Sequence, residues 1–361
     1  MKVIKEVGAQ LSLDEDTRVK LPSTRYWGSK RKIAPWIWEQ IKDLEFTNFL
    51  DCMSGTAVLS YLAKCHGKRV FANDELKFNY QVALALVENN STTLAESEFR
   101  MIVERHQAID YPTFIEDTFP DIYYLPEENR WLDTIITNIG VFLTDPYKRS
   151  IALSALGQAC LVKRPYNLFH RKNLYMRLQD VPRSFGNKAT WDAPFVKHFR
   201  KFVSEYNSLV FDNRADNRVF NLGVFDLELA EPVDLVYIDP PYLPVHGDKP
   251  DYHYFYHFLE GIVQYNIWPG LICYENPIRP IMYQRSPWTD VHRIYAAFER
   301  LLAKFEGTRY IVVSYNSMGI PSETELAEML GRYKPNVELR TRQYQYALSK
   351  ERPRELLFIA Y

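Results

Sequence analysis

Val233-Asp234-Leu235-Val236-Tyr237-Ile238-Asp239-Pro240-Pro241-Tyr242 decides how this chain is read. The apolar, β-rich run ends on an acid and two prolines, so it predicts a buried strand over 233–238 whose carboxyl tip is held rigid. Proline fixes φ at about −65° and donates no backbone hydrogen bond. The strand therefore stops there and leaves carbonyls unpaired at its end. A carboxylate, peptide oxygens and an aromatic ring then meet at the carboxyl edge of a sheet, where open α/β folds place their ligands. Such a group suits an exocyclic amine and a flat ring, which points to chemistry on a nucleobase.

Working outward, Asn48 to Asp51 predicts a second strand, Cys52 to Ala57 a tight turn of small residues, and Val58 to Lys64 a helix. Arg69 to Asp74 reads as another strand ending on an acid, followed by a helix over 77–90. Strand, turn, helix, strand is a βαβ unit and implies a parallel sheet. A loop over 22–30 leads into a helix over 31–43. Between 95 and 215 helical spacing dominates, near 97–109, 130–144, 148–162 and 194–208. The α/β pattern resumes after 218, with a helix near 291–304, a strand over 310–315 and a helix near 322–332. Strands over 336–346 and 355–360 form a terminal antiparallel pair. The expected fold is α/β, a Rossmann-like, mostly parallel sheet split by a helical insertion. Its predicted parts are a polar lead-in over 1–22, a sheet domain over 23–94 and 216–361, and the insertion over 95–215.

The 361 residues, 47% hydrophobic and 25% charged, allow a sizeable core. The net charge of −1 excludes a globally basic surface, so any nucleic-acid contact must come from segregated charge. One segment has it. Lys163, Arg164, Arg171, Lys172, Arg177, Arg183 and Lys188 face a single acid, Asp180, and alternate with Tyr166, Phe169, Tyr175 and Phe185. Four scattered cysteines without zinc spacing predict reduced thiols and no metal site. No apolar run reaches the roughly 18 residues of a membrane span, and the first residues lack a signal-peptide core. A cytoplasmic location is expected.

Asp51-x-x-Ser54-Gly55-Thr56-Ala57, with Asp74 at the end of the next strand, follows the logic of a nucleoside-binding turn. Small residues admit a ligand to the backbone, and the distal acid accepts ribose hydroxyls. No GxGxxG pattern is present, so a pyrophosphate is disfavoured and S-adenosylmethionine fits better. Tyr26-Trp27-Gly28-Ser29-Lys30 adds an aromatic and a cation suited to the cofactor's carboxylate. At Asp239 to Tyr242, a carboxylate and a carbonyl accepting both N–H groups of an adenine amine would localise its lone pair, while Tyr242 stacks on the ring. Such a base is inaccessible inside a duplex and must be flipped out.

The order of these motifs resembles the Dam-like (D12 class) DNA adenine-N6 methyltransferases in the α arrangement, which place cofactor motifs first, target recognition in the middle and the catalytic motif last. Arg25 to Lys30, Val87-Glu88-Asn89-Asn90, Tyr256-His257-Phe258-Leu259-Glu260 and Ser314-Tyr315-Asn316-Ser317 are similar to the FokI-type restriction-modification branch. The resemblance implies catalysis by Asp239, Pro240, Pro241 and Tyr242. It implies cofactor contacts from Tyr26, Trp27, Gly28, Lys30, Asp51, Ser54, Gly55, Asp74 and Asp239. DNA contacts would come from Lys163, Arg164, Arg171, Lys172 and Arg177. Expected partners are double-stranded DNA and a cognate restriction endonuclease, with the chain a monomer or weak dimer. Cytosine-N4 methylation and a catalytically silent DNA-binding protein are the rival readings. The chain departs from the family pattern at Met53 and at Ala57, where glycine is usual, so the cofactor turn is expected to be slightly rearranged. His246, Tyr252, His253, Tyr254 and Tyr256 read as an aromatic loop able to close over a flipped base.

Overall fold

Strand β4, Leu235–Ile238, has every residue buried and lies at the centre of a seven-stranded sheet. The other strands are β1 (Asn48–Asp51), β2 (Arg69–Asn73), β3 (Arg218–Phe220), β6 (Tyr310–Asn316), β8 (Val337–Gln343) and β9 (Arg354–Ala360). The order is β3-β2-β1-β4-β6-β9-β8. The first five strands run parallel, while β9 is antiparallel to both β6 and β8. A two-stranded ribbon pairs β5 (Leu243–Pro244) with β7 (Gly319–Ile320). The computed structural model describes residues 19–179, 188–245, 251–343 and 354–361. Arg183, Phe185, His246, the lead-in before residue 19 and positions 344–346 of the predicted strand lie outside the described residues.

The two-residue period of a strand divides the sheet into two faces. Phe49, Val70, Tyr237, Val312, Leu357 and Ile359 point to one, and Leu50, Phe71, Val236, Ile311, Val313 and Phe358 to the other. Helices α1 (Ala34–Ile41), α2 (Val58–Cys65) and α3 (Lys77–Ala83) cover the first face. The intervening segment contributes α4 (Glu96–Val103), α5 (Phe114–Thr118), α6 (Pro126–Phe142), α7 (Pro146–Val162), α8 (Tyr175–Leu178), α9 (Lys188–Asp192) and α10 (Phe195–Leu209). Next comes α11 (Tyr252–Val263). The second face is covered by α12 (Ile294–Lys304) and α13 (Glu323–Tyr333). Ser322 caps α13 through a capping box with Glu325.

Helices α6, α7 and α10 of the segment over 95–215 share one apolar cluster with α1, α2, α3 and the sheet. Two features differ from the sequence reading. The predicted helix over 77–90 ends its α-helical part at Ala83 and closes with a π turn over Leu84–Glu88. The aromatic run after the tetrapeptide is helix α11, not a loop. Asp251 caps it by accepting from the Tyr254 N–H at 3.1 Å, and Phe255, Phe258, Leu259 and Ile262 bury one face. Among the described residues no helix is long and apolar enough to cross a membrane.

Close approach at Gly261 seats α11. A Cβ there would lie 1.9 Å from Trp268 Cε2, and Trp268 is fully buried. Gly261→Ala is expected to lose about 2 kcal/mol of stability through overpacking, read as a lower urea midpoint. An unchanged midpoint would show that the indole shifts without cost.

Candidate active site

The sheet order reverses between β1 and β4, and the side chains at their carboxyl ends open into one cleft of about 1710 Å³. Binding crevices of open α/β sheets lie at this switch point. Tyr26, Trp27, Gly28, Lys30, Asp51, Ser54, Gly55, Asp74 and Asp239 to Tyr242 all line it. The structure thus brings together the residues of the three separate motifs.

The turn after β1 is rigid before any ligand arrives. Ser54 N–H donates to the Asn73 carbonyl at 2.8 Å, and Gly55 N–H to Asp74 Oδ2 at 2.7 Å. Asp74 Oδ1 accepts from Leu76 N–H at 2.9 Å and Asn79 Nδ2 at 3.2 Å. Gly55 has φ +52° and Ala57 φ +54°. Ala57 therefore occupies the left-handed region that favours glycine, and the turn persists with the residue inside it, fully buried.

The chemistry of this wall calls for a cation and for hydroxyls. Burial drives Asp51 up to about 7, opposed by a hydrogen bond from the Ser60 hydroxyl at 2.6 Å. Burial likewise drives Asp74 up to about 7, opposed by the N–H groups of Leu76 and Gly55. Asp51 Oδ1, Ser54 Oγ and Asn79 Oδ1 are buried with no hydrogen-bonding partner among the described residues. Buried polar atoms are rarely left so. A ligand bearing an ammonium and ribose hydroxyls would satisfy them, so the donor set fits S-adenosylmethionine.

The aromatic motif before α1 forms a second wall. Tyr26 stacks on Tyr256 with centroids 4.2 Å apart and on Tyr252 at 5.6 Å, and its hydroxyl accepts from Asn79 at 3.1 Å. Trp27 N–H donates to the Tyr256 hydroxyl at 2.7 Å. Gly28 has φ +78°, and a Cβ there would lie 2.3 Å from the Tyr252 hydroxyl, so only glycine fits. Trp27 remains 41% exposed.

The catalytic tetrapeptide is tied to this motif by charge. Lys30 Nζ lies 2.8 Å from Asp239 Oδ1, 3.7 Å from Glu355 Oε1 and 2.5 Å from the Tyr242 hydroxyl. Burial opposes the charge on Lys30, but Asp239 and then Glu355 outweigh it and hold its pKa above the ordinary value. Burial lifts Asp239 to about 6, with Lys30 pulling down and Glu355 pushing up. The sequence reading aimed Lys30 at the cofactor's carboxylate; the structure turns it to Asp239. Tyr242 was expected to present its ring to a base. Its hydroxyl is instead held among Lys30, Glu355 at 2.7 Å and Asp239 at 3.0 Å, with its ring edge-on to Tyr315.

Glu355 and Ser314 went unread in the sequence. Ser314 lies in the Ser314-Tyr315-Asn316-Ser317 motif, so its place was signalled, whereas an acid on the last strand carries no local mark. The basic segment needs a larger correction. Lys163, Arg164 and Arg177 are buried and bonded within the protein. Lys163 and Arg177 grip Glu128 of α6 at 2.7 Å, and although burial pushes Glu128 up, Arg177 and Lys163 hold it below the usual carboxylate range. Arg164 donates to the carbonyls of Leu168 and Arg171 and lies over the rings of Tyr123 and Phe169. Arg171 and Lys172 are exposed.

Comparison with known proteins agrees with this geometry. The family model of the D12 class N6 adenine-specific DNA methyltransferases matches residues 26–262. The chain is 31% identical over 349 residues to the type II methyltransferase M2.HphI of Haemophilus parahaemolyticus, covering 94% of this chain and 98% of that protein. It is 26% identical over 330 residues to the type II methyltransferase M.FokI of Planomicrobium okeanokoites, covering 85% of this chain but 46% of that longer protein. Similarity to the type II methyltransferase M.NlaIII of Neisseria lactamica is 22% over 321 residues, covering 85% of this chain and 88% of that one. With its cofactor cleft, its Asp-Pro-Pro-Tyr strand tip and this match, the chain belongs to the D12 class N6 adenine-specific DNA methyltransferases and takes S-adenosylmethionine as methyl donor.

Proposed function

We propose that the chain methylates adenine N6 at a specific duplex site, with Asp239 as the group that grips the target amine. The observation that carries this reading is the Lys30–Asp239 pair, which fixes a carboxylate at the tip of β4 on the wall shared with Asp51, Ser54 and Asp74. Bound S-adenosylmethionine supplies a methyl carbon on a positively charged sulfur. Asp51 and Asp74 offer oxygens to its ammonium and ribose, and Tyr26, Trp27, Gly28, Ser54 and Gly55 shape its bed. The adenine amine is a poor nucleophile because its lone pair is delocalised into the ring. Asp239 accepts one N–H and the peptide oxygen beside Pro240 the other, which localises that pair. As the nitrogen–carbon bond forms and the sulfur–methyl bond breaks, the positive charge would pass to nitrogen beside a carboxylate already in place. The surplus N–H proton would leave to solvent, and alignment supplies much of the remaining rate. With its pKa at about 6, Asp239 is ionised at neutral pH.

Pro240 and Pro241 keep the tip from relaxing, and the base reaches it by leaving the duplex. Arg171 and Lys172 meet the phosphate backbone, while Lys163, Arg164 and Arg177 hold the segment that carries them. The type II names of the relatives support a role as the modification partner of a restriction endonuclease, and the chain is proposed to act as a monomer or weak dimer.

Asp239→Ala is expected to lower tritium transfer from labelled cofactor to duplex DNA by at least about 10³-fold, with the fold retained. Full activity in that variant would remove the carboxylate from the mechanism, and hydrolysis of the product separates N6-methyladenine from N4-methylcytosine.

Arg171→Glu with Lys172→Glu should flatten the salt dependence of DNA binding by about two phosphate contacts. Lys163→Ala should lower the melting temperature and leave that slope unchanged. The reverse pattern would return the buried lysine to the DNA surface.

A further inference from the structure

We propose that Glu355 is a positioning residue for methyl transfer: it holds the Tyr242 hydroxyl and shares the charge of Lys30 with Asp239, tempering that ion pair so that Asp239 can still accept from the target amine. The inference rests on the reading of Asp239 given above. Glu355 is fully buried on β9, opposite Asn316 of β6. The strand period puts it on the same face as Leu357 and Ile359. Its Oε1 accepts from the Ser314 hydroxyl at 2.6 Å and from the Tyr242 hydroxyl at 2.7 Å, with Lys30 Nζ at 3.7 Å.

Burying a second carboxylate beside one ammonium is costly, and an apolar residue of similar volume would often stabilise the site better. A role in the fold alone therefore gives a poor reason for an acid here. The bonding offers a better one. Tyr242 has one hydroxyl proton, and its contact with Glu355 is shorter than its 3.0 Å contact with Asp239. With the proton directed to Glu355, the Tyr242 hydroxyl receives a hydrogen bond from Lys30 and is held from two sides. Lys30 spreads its charge over Asp239, Tyr242 and Glu355 and does not collapse onto Asp239 alone.

The groups that face Asp239 are Lys30 from the loop before α1, Asp51 from β1, Tyr237 from β4, Tyr242, Tyr252 from α11 and Glu355 from β9. Neutralising Glu355 removes a negative neighbour and hands Lys30 to Asp239. Both effects favour the ionised carboxylate, so the carboxyl loses its proton at lower pH. Removing the Ser314 hydroxyl acts in the opposite sense, because a less solvated Glu355 competes harder for Lys30.

The test is the pH dependence of kcat/KM for DNA in Glu355→Gln and Ser314→Ala, with melting temperature and cofactor affinity measured alongside. Glu355→Gln should move the acid limb down by about half a unit and cut kcat by about tenfold, leaving cofactor affinity unchanged. Ser314→Ala should move that limb up. A folded Glu355→Gln protein whose acid limb stays in place overturns the proposal, whether or not its rate falls. Should Glu355→Gln fail to fold, an unmoved limb in Ser314→Ala overturns it equally. A wild-type protein that methylates no DNA would refute the parent reading instead.

Discussion

The ion pair between Lys30 and Asp239 ties the loop that precedes α1 to the tip of the central strand. The arrangement of the site depends on it. Two largely shielded charges on a cleft wall tolerate little displacement, because parting them leaves one of them uncompensated. The pair thus fixes how the Tyr26–Lys30 loop lies against β4. Tyr26 then stacks on α11, Gly28 presses against Tyr252, and the cleft has walls before a ligand enters. Preorganisation of this kind spares the enzyme the cost of assembling its site during the reaction.

The wall that faces the cofactor holds both a strained turn and unmet bonding. Among the described residues Asp51 Oδ1, Ser54 Oγ and Asn79 Oδ1 have no hydrogen-bonding partner, and Ala57 holds a left-handed turn without being glycine. Each feature costs stability on its own. Together they describe a surface shaped for something that supplies a positive charge and hydroxyl groups. Among the described residues, unpartnered buried polar atoms also occur away from the cleft, at Asn90 Oδ1, Asn129 Oδ1 and Trp268 Nε1 among others, while several buried acids are well satisfied. Glu260 accepts from the N–H groups of Phe78 and Lys77 at the start of α3, and Asp133 accepts from those of Ile115 and Glu116 at α5.

Much of the frame was legible because local chemistry fixed it. β1, β2 and β4 end on or just before an acid, Asp51, Asp74 and Asp239, and β6 is a longer run that is buried up to its last residue. What escaped reading depended on distant partners. Counting charge over 163–188 could not foresee Glu128 on α6, which turns Lys163 and Arg177 inward. Glu355 is a single acid beside basic neighbours on the last strand, and only strand pairing carries it to Ser314 and Tyr242. For α11 the signal was present: Phe255, Phe258, Leu259 and Ile262 follow helical spacing behind Asp251. The density of aromatic rings masked it. β3, only partly buried at the sheet edge, left almost no pattern.

The placement of the target amine tests the account most directly. A crystal structure with duplex DNA and a non-reactive sulfonium analogue should show an adenine out of the helix, its N6 within hydrogen-bonding distance of Asp239, and Lys30 still paired to that carboxylate. An adenine left stacked in the duplex, or an amine held by other groups while Asp239 faces only Lys30, would contradict it.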